Sequence, residues 1–177
     1  AFGHIWRPQY RLDKAKVIVS LEADLLGQHP GMLQHARDWA AGRRSADTTH
    51  QMNRLYAIES TLSATGSVAD ERLPVRSSEI GRIAADILAG TSSEKFVQRV
   101  INDLNKHHGS ALVVAGASQP AEVHKLVWQI NQAIGAMGKT VRFFSDPDYE
   151  TNYTAQIGEL TSAINDGAVK TLIIIGG

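Results

Sequence analysis

Hydroxyl side chains crowd the segment "YAIESTLSATGSVADERLPVR" (56–76), where Ser60, Thr61, Ser63 and Thr65 follow a short apolar run. Gly66 permits a sharp backbone turn, and Asp70, Arg72 and Arg76 add charge of both signs. Placed after a strand, such a loop can grip a polar heterocycle or a phosphate. The same residues can also make a self-satisfying loop, with Asp70 paired to an arginine and Leu73-Pro74-Val75 covering a sheet edge. At the level of residue types both readings stand.

The other chemistry-bearing clusters are weaker. "GASQP" (116–120) sets Ser118 between a strand and a helix, as a nucleophile elbow would, but Pro120 fills the position where the second glycine must sit. The last histidine, His124, follows too closely to serve as a late triad member. Ser118 therefore reads as a helix cap, with Pro120 in the first turn. His29 and His35 lack the i, i+4 or i, i+3 relation of a helical metal pair, and the adjacent His107 and His108 point in different directions. "SDPDYE" (145–150) offers Asp146, Asp148 and Glu150, which read as a solvated turn rather than a hard-cation site. No Gly-x-Gly-x-x-Gly follows a strand and no Gly-Lys-Ser/Thr phosphate loop occurs, so a nicotinamide or nucleoside-triphosphate enzyme has no support.

These residues need elements to position them, and the pattern alternates strand and helix. Strands are predicted at "KVIVSL" (16–21), "RLYAIE" (54–59), "ALVVAG" (111–116), "KTVRFF" (139–144) and "KTLIIIG" (170–176). Helices are predicted at 30–42, with Met32, Ala36, Trp39 and Ala40 on one face, and at 77–90, with Ile80, Ile83, Ile87 and Leu88 inward. A third, 91–109, opens with Thr91 and Glu94 at capping-box spacing and carries Phe96, Val97, Val100, Ile101 and Leu104 as its stripe. A fourth covers 120–138, with Val123, Leu126, Val127, Ile130, Ile134 and Met137 inward, and a fifth 152–167. Strands separated by helical crossovers imply an α/β fold with a mostly parallel open sheet covered by helices on both faces, which is Rossmann-like. Ligands then bind outside the carboxyl ends of the strands, so the loops after Leu21, Glu59, Gly116, Phe144 and Gly176 matter most.

Composition narrows the function classes. The 177 residues are 43% hydrophobic, enough for one α/β domain, 1–177, or two small lobes. Eighteen basic and eighteen acidic residues balance to zero net charge, which gives no nucleic-acid footprint. With no cysteine there is no disulfide, catalytic thiolate, zinc knuckle or cluster held by this segment's own thiolates. No apolar run approaches the roughly 18–20 residues that span a bilayer, and no signal-peptide pattern opens the chain. The terminal "VKTLIIIGG", a strand and two glycines leading nowhere, reads as the cut end of a longer chain.

The segment order "KVIVSLEADLLG", "RLYAIESTLSATGSVADERLPVR", "ALVVAGASQPAEVHKLVWQINQAIGAMGKTV" and "LIIIGG" resembles the molybdopterin oxidoreductase superfamily. The likeness is greatest to the molybdopterin-like region of the large iron–sulfur subunit of alternative complex III. In cofactor-bearing members an Asp-Pro-Arg-like turn ends the strand matching "LYAIE", and an Arg-Pro-Gly-Thr-Asp-like turn follows later. Here Glu59-Ser60-Thr61 stands at the first and Arg76-Ser77-Ser78-Glu79 at the second. Ala69, Asp70, Leu73, Pro74 and Arg76 match the scaffold, whereas the first turn's arginine and the Gly-Thr-Asp element are missing. Losing that glycine hinders close backbone approach to a ligand, and losing the arginine removes a guanidinium fork suited to phosphate.

The resemblance implies a non-catalytic structural domain, its cofactor site kept as architecture, within a membrane-associated iron–sulfur electron-transfer subunit that oxidises quinol. Iron–sulfur clusters would lie elsewhere in the parent chain, other subunits of the complex would be its partners, and the periplasmic face of the cytoplasmic membrane its location. No activity is expected of the segment alone. The alternative is part of a true oxidoreductase in which Glu59, Ser60, Asp70, Arg76, Ser77 and Ser78 hold molybdopterin guanine dinucleotide. A third reading is an unrelated small-ligand module using the pocket after Gly116.

Overall fold

The computed structural model describes residues 6–44, 52–145 and 153–174, with the side chains of 153–155 excepted. The chain groups into two compact units, Pro8–Phe143 and Ala1–Arg7 with Phe144–Gly177. The larger unit contains a four-stranded parallel sheet flanked by helices, the α/β Rossmann-like class.

The sheet strands are β2 (Val17–Leu21), β3 (Arg54–Glu59), β4 (Glu71–Pro74) and β5 (Ala111–Ala115), in the order β4-β3-β2-β5. Val17, Ile18, Val19 and Leu21 are fully buried, so side chains pointing to opposite faces of β2 are both covered. Such continuous apolar runs are the signature of a strand with helices above and below. The helices are α1 (Met32–Ala41), the short α2 (Ala64–Ser67), α3 (Ile80–Ala89), α4 (Lys95–Lys106) and α5 (Ala121–Ala133). The stripe expected on α4 is buried throughout, from Phe96 to Leu104, as are Ile80, Ile83 and Ile87 of α3 and Val123, Val127, Ile130 and Ile134 along α5 and its end. Gly90 ends α3 in the left-handed region, φ 75°, which suits a residue without Cβ.

Several expectations need correction. On α1, Met32 and Ala36 are exposed, and the buried residues are His35 and Asp38. Polar groups can be buried when partnered. His35 Nδ1 bonds the Leu25 carbonyl oxygen at 3.1 Å and its ring lies 4.5 Å from that of His29, while Asp38 accepts from Gln34 at 2.5 Å. Helix α4 begins at Lys95 with Glu94 as its cap, so the Thr91 box does not form; Ser92 instead donates to Asp86 at 2.8 Å. Ser118 is exposed and caps nothing, since Pro120 is the cap residue of α5.

The segment 139–144 does form a strand, β6 (Val141–Ser145), but outside the main sheet, paired with β1 (Trp6–Tyr10). Its place beside β5 is taken by side chains. The buried Asn131 amide accepts from Val113 N–H at 3.0 Å and donates to Val113 C=O at 2.7 Å, and Thr140 Oγ1 donates to Ala111 C=O at 2.7 Å.

In the smaller unit, α6 (Tyr153–Asn165) forms as predicted, but 171–174 is not a strand. A strand exists by its ladder hydrogen bonds, and among the described residues no strand pairs with this segment; Leu172, Ile173 and Ile174 are exposed instead. The acidic turn Asp146, Asp148 and Glu150 lies outside the described residues.

Candidate functional site

In a parallel sheet of this order, the chain runs from β2 to β3 on one side and later places β5 on the other. The switch point, where ligands bind in open α/β sheets, is thus the crevice between the carboxyl ends of β2 and β5. Glu22, immediately after β2, enters this crevice with φ 55°, a left-handed conformation that disfavours a residue bearing Cβ. Its N–H donates to Ile58 C=O at 2.9 Å, and Gly116 N–H donates to Leu21 C=O at 2.8 Å. A Cβ at Gly116 would collide with the Glu22 carbonyl oxygen, so the loop after β5 must begin with glycine for the two backbones to pass.

The Glu22 carboxylate gathers donors from three loops. Oε1 accepts from Ser60 N–H at 3.0 Å, and Oε2 accepts from Ser77 Oγ at 2.7 Å and from Gln119 Nε2 at 2.5 Å. Partial burial pushes the Glu22 carboxyl up, but the bonds from Ser60, Ser77 and Gln119 outweigh it and hold the group below its ordinary range. Gln119 is buried and also donates to Ser77 Oγ at 3.1 Å.

Two further carboxylates are tied down nearby. Asp24 Oδ1 accepts from Thr65 N–H at 3.0 Å and Thr65 Oγ1 at 2.8 Å, and Thr65 Oγ1 accepts from Leu26 N–H at 3.0 Å. Glu59, 3% exposed, turns inward: Oε1 accepts from Arg72 Nε at 2.6 Å and Oε2 from Ser63 Oγ at 2.6 Å. Ser63 in turn caps α2 by accepting from Gly66 N–H at 2.9 Å. Gly66 is required there, because a Cβ would overlap the Glu59 carboxylate.

Of the six residues singled out from sequence, the structure brings Ser60 and Ser77 together, on Glu22. Glu59 is adjacent in the chain but faces Arg72, and Arg76 and Ser78 are exposed beside Ser77. Asp70 is elsewhere. Because β4 runs parallel to β3, with Tyr56 opposite Glu71 and Glu59 opposite Pro74, Asp70 lies at the amino end of the sheet. There Asp70 N–H donates to Leu55 C=O at 2.9 Å, and its carboxylate accepts Leu55 N–H at 2.8 Å and the Arg43 fork. From Leu55 to Glu59 the strand rises about 13 Å. Burial pushes the Asp70 carboxyl up, while Arg43 and the Leu55 N–H pull it down more strongly, so its net direction is below the usual range.

Sequence reasoning missed Glu22, Asp24 and Gln119. The signal was the acidic pair in "SLEADLLG" directly after a buried strand, a place where uncompensated carboxylates are costly.

Chemically, this crevice is a closed set. Its donors are taken by internal carboxylates: Ser60, Ser77 and Gln119 by Glu22, Thr65 by Asp24, and Ser63 and Arg72 by Glu59. The residues present therefore do not suit a dinucleotide's phosphates. Among the described residues no three of His, Asp or Glu are grouped to hold a metal ion, and no helix is long and apolar enough to cross a membrane. No protein-family model and no curated protein matches the chain.

Proposed function

We propose that the chain is a non-catalytic structural domain of a membrane-associated iron–sulfur electron-transfer subunit, one whose α/β scaffold resembles a molybdopterin oxidoreductase that has lost its cofactor. The observation that supports this reading is the crevice at the switch point, occupied by the protein's own Glu22 with Ser60, Ser77 and Gln119 committed to it. A site that must take an anionic ligand presents free donors; this one presents a carboxylate already saturated.

On this reading the domain's work is mechanical. Its buried parallel sheet gives a rigid body on which an iron–sulfur segment of the parent chain and neighbouring subunits of a quinol-oxidising complex dock, at the periplasmic face of the cytoplasmic membrane.

The test is the metal and pterin content of the full-length protein purified from its native membranes. Iron without molybdenum, tungsten or pterin is expected. Molybdenum or tungsten with pterin in proportion to the chain would overturn the reading and put the nucleotide on the 59–78 loops.

A further inference from the structure

At the opposite end of the sheet from the filled crevice lies a cavity of about 310 Å³ with a different character. It is lined by Lys16 before β2, by Arg43 after α1, by Asn53 and Arg54 at the start of β3, and by His107 at the end of α4. Among the described residues Asp70 is the one carboxylate in its lining, and it is already saturated by the Arg43 fork and the Leu55 N–H.

Positive charge is left over here. Lys16 is exposed and makes no ion pair among the described residues. Arg54 commits one terminal nitrogen to Asp103 at 2.6 Å, and its side chain remains 47% exposed. Asp103 is shared further, accepting from Tyr56 Oη at 3.1 Å and lying 3.4 Å from His107 Nδ1. The same wall carries unsatisfied polar atoms of both kinds. Arg43 Nε, a donor, and Asn53 Oδ1, an acceptor on a residue 2% exposed, are buried with no hydrogen-bond partner among the described residues.

We propose that this amino-edge cavity binds a small phosphate-type oxyanion, either inorganic phosphate or the phosphate of a monoester. A multi-oxygen anion can bridge Lys16, which has no ion pair among the described residues, and the guanidinium nitrogens of Arg54 that Asp103 leaves free. Hydrogenphosphate also has both acceptor and donor oxygens, and its P–OH suits the unpartnered acceptor Asn53 Oδ1. The chain's zero net charge makes the positive potential local, which fits a small anion rather than a nucleic acid.

The experiment is a titration of the 177-residue chain with inorganic phosphate, and separately with glycerol phosphate, at ionic strength held constant with chloride. Amide chemical shifts are the readout. Saturable shifts sharing one dissociation constant are expected at Lys16, Asn53, Arg54 and His107. Lys16→Ala weakens binding by about fivefold or more, as loss of one charge-assisted contact does. Arg142→Ala, which removes an exposed cation of β6, leaves it unchanged. Tighter binding of the ester identifies an ester as the source, and tighter binding of inorganic phosphate identifies the free ion. Shifts that do not saturate, shifts spread over every basic residue, or an unaltered affinity in Lys16→Ala would overturn the proposal. None of these outcomes bears on metal or pterin content, so the two tests fail independently.

Discussion

Glu22 is the residue on which the crevice depends, and replacing it should show how much. In Glu22→Gln the shape is kept but the charge is lost, and the new amide brings N–H donors toward the Gln119 amide and the Ser77 hydroxyl. Hydrogen bonds to a charged group are worth about 1.5–3 kcal/mol each when buried, but Ser60 and Ser77 are exposed, so solvent screening reduces each to about 1 kcal/mol. With three such bonds, and one acceptor retained by glutamine, the expected loss is about 2 kcal/mol. In Glu22→Gly the bonds also go, while relief of the left-handed backbone returns about 1 kcal/mol. The net expectation is a loss of about 1–2 kcal/mol. The assay is urea denaturation of wild type and both variants from neutral pH into acid. The sign follows from the depressed carboxyl: the stabilisation is fully present above the ordinary value of 4.5 and is lost as pH falls through the lower folded value. The gap between wild type and Glu22→Gln should therefore be constant above about pH 5 and close below it. A gap under about 0.5 kcal/mol at neutral pH, or one that does not change in acid, would refute the account of Glu22 as a saturated internal anion.

Four further outcomes are expected. Asn131→Leu leaves the N–H and C=O of the buried Val113 unpartnered and should lose about 2–5 kcal/mol in the same denaturation assay. Burial, its largest cause, holds His35 below its ordinary value of 6.5 despite the Leu25 carbonyl and Asp38, so the unfolded chain takes up the proton first. Stability should then fall as pH drops below about 6.5, and His35→Gln should flatten that slope in thermal melts. Gly116→Ala, whose Cβ meets the Glu22 carbonyl, should lose at least about 2 kcal/mol. By contrast Gly81→Ala, with only Val123 at 3.6 Å and a helical backbone, should gain about 0.5–1 kcal/mol.

The parts of the fold that were legible in sequence are those whose own residues determine their state. "VIVSL", "LYAIE" and "ALVVA" are buried on both faces and so read as apolar runs, and α4 separates its faces so sharply that every predicted inward residue is buried. Strand β4 was not legible. "ERLP" has two charges and a proline, and it is a strand because β3 offers it a ladder and because an edge position tolerates Pro74. The site divides in the same way. Ser60 showed itself as a hydroxyl after a strand and Ser77 came from the resemblance, but the contact of Glu22 with Gln119 joins residues 97 positions apart and follows from strand order alone. Asp70 was grouped with Glu59 because both lie in the 56–76 stretch and because the resemblance implies one nucleotide site for them. The parallel return of β4 separates them by the length of a strand.

Strand order also explains why the sheet stops at β5 although "KTVRFF" has the composition to extend it. An added strand would need the outward N–H and C=O groups of β5. Val113 gives both of its groups to Asn131, and Ala111 gives its carbonyl to Thr140, the residue just before β6 begins. Thr140 is held twice, its carbonyl accepting from Arg11 N–H at 2.8 Å beside the end of β1. The chain is thereby turned toward β1 at the position where it would otherwise have joined β5. A side-chain amide that copies both halves of a ladder step removes an aggregation-prone edge without adding a strand. It does so only while the amide is intact, so deamidation of Asn131 to aspartate, which loses the donor to Val113 C=O and sets a carboxylate against it, would reopen the edge of the sheet.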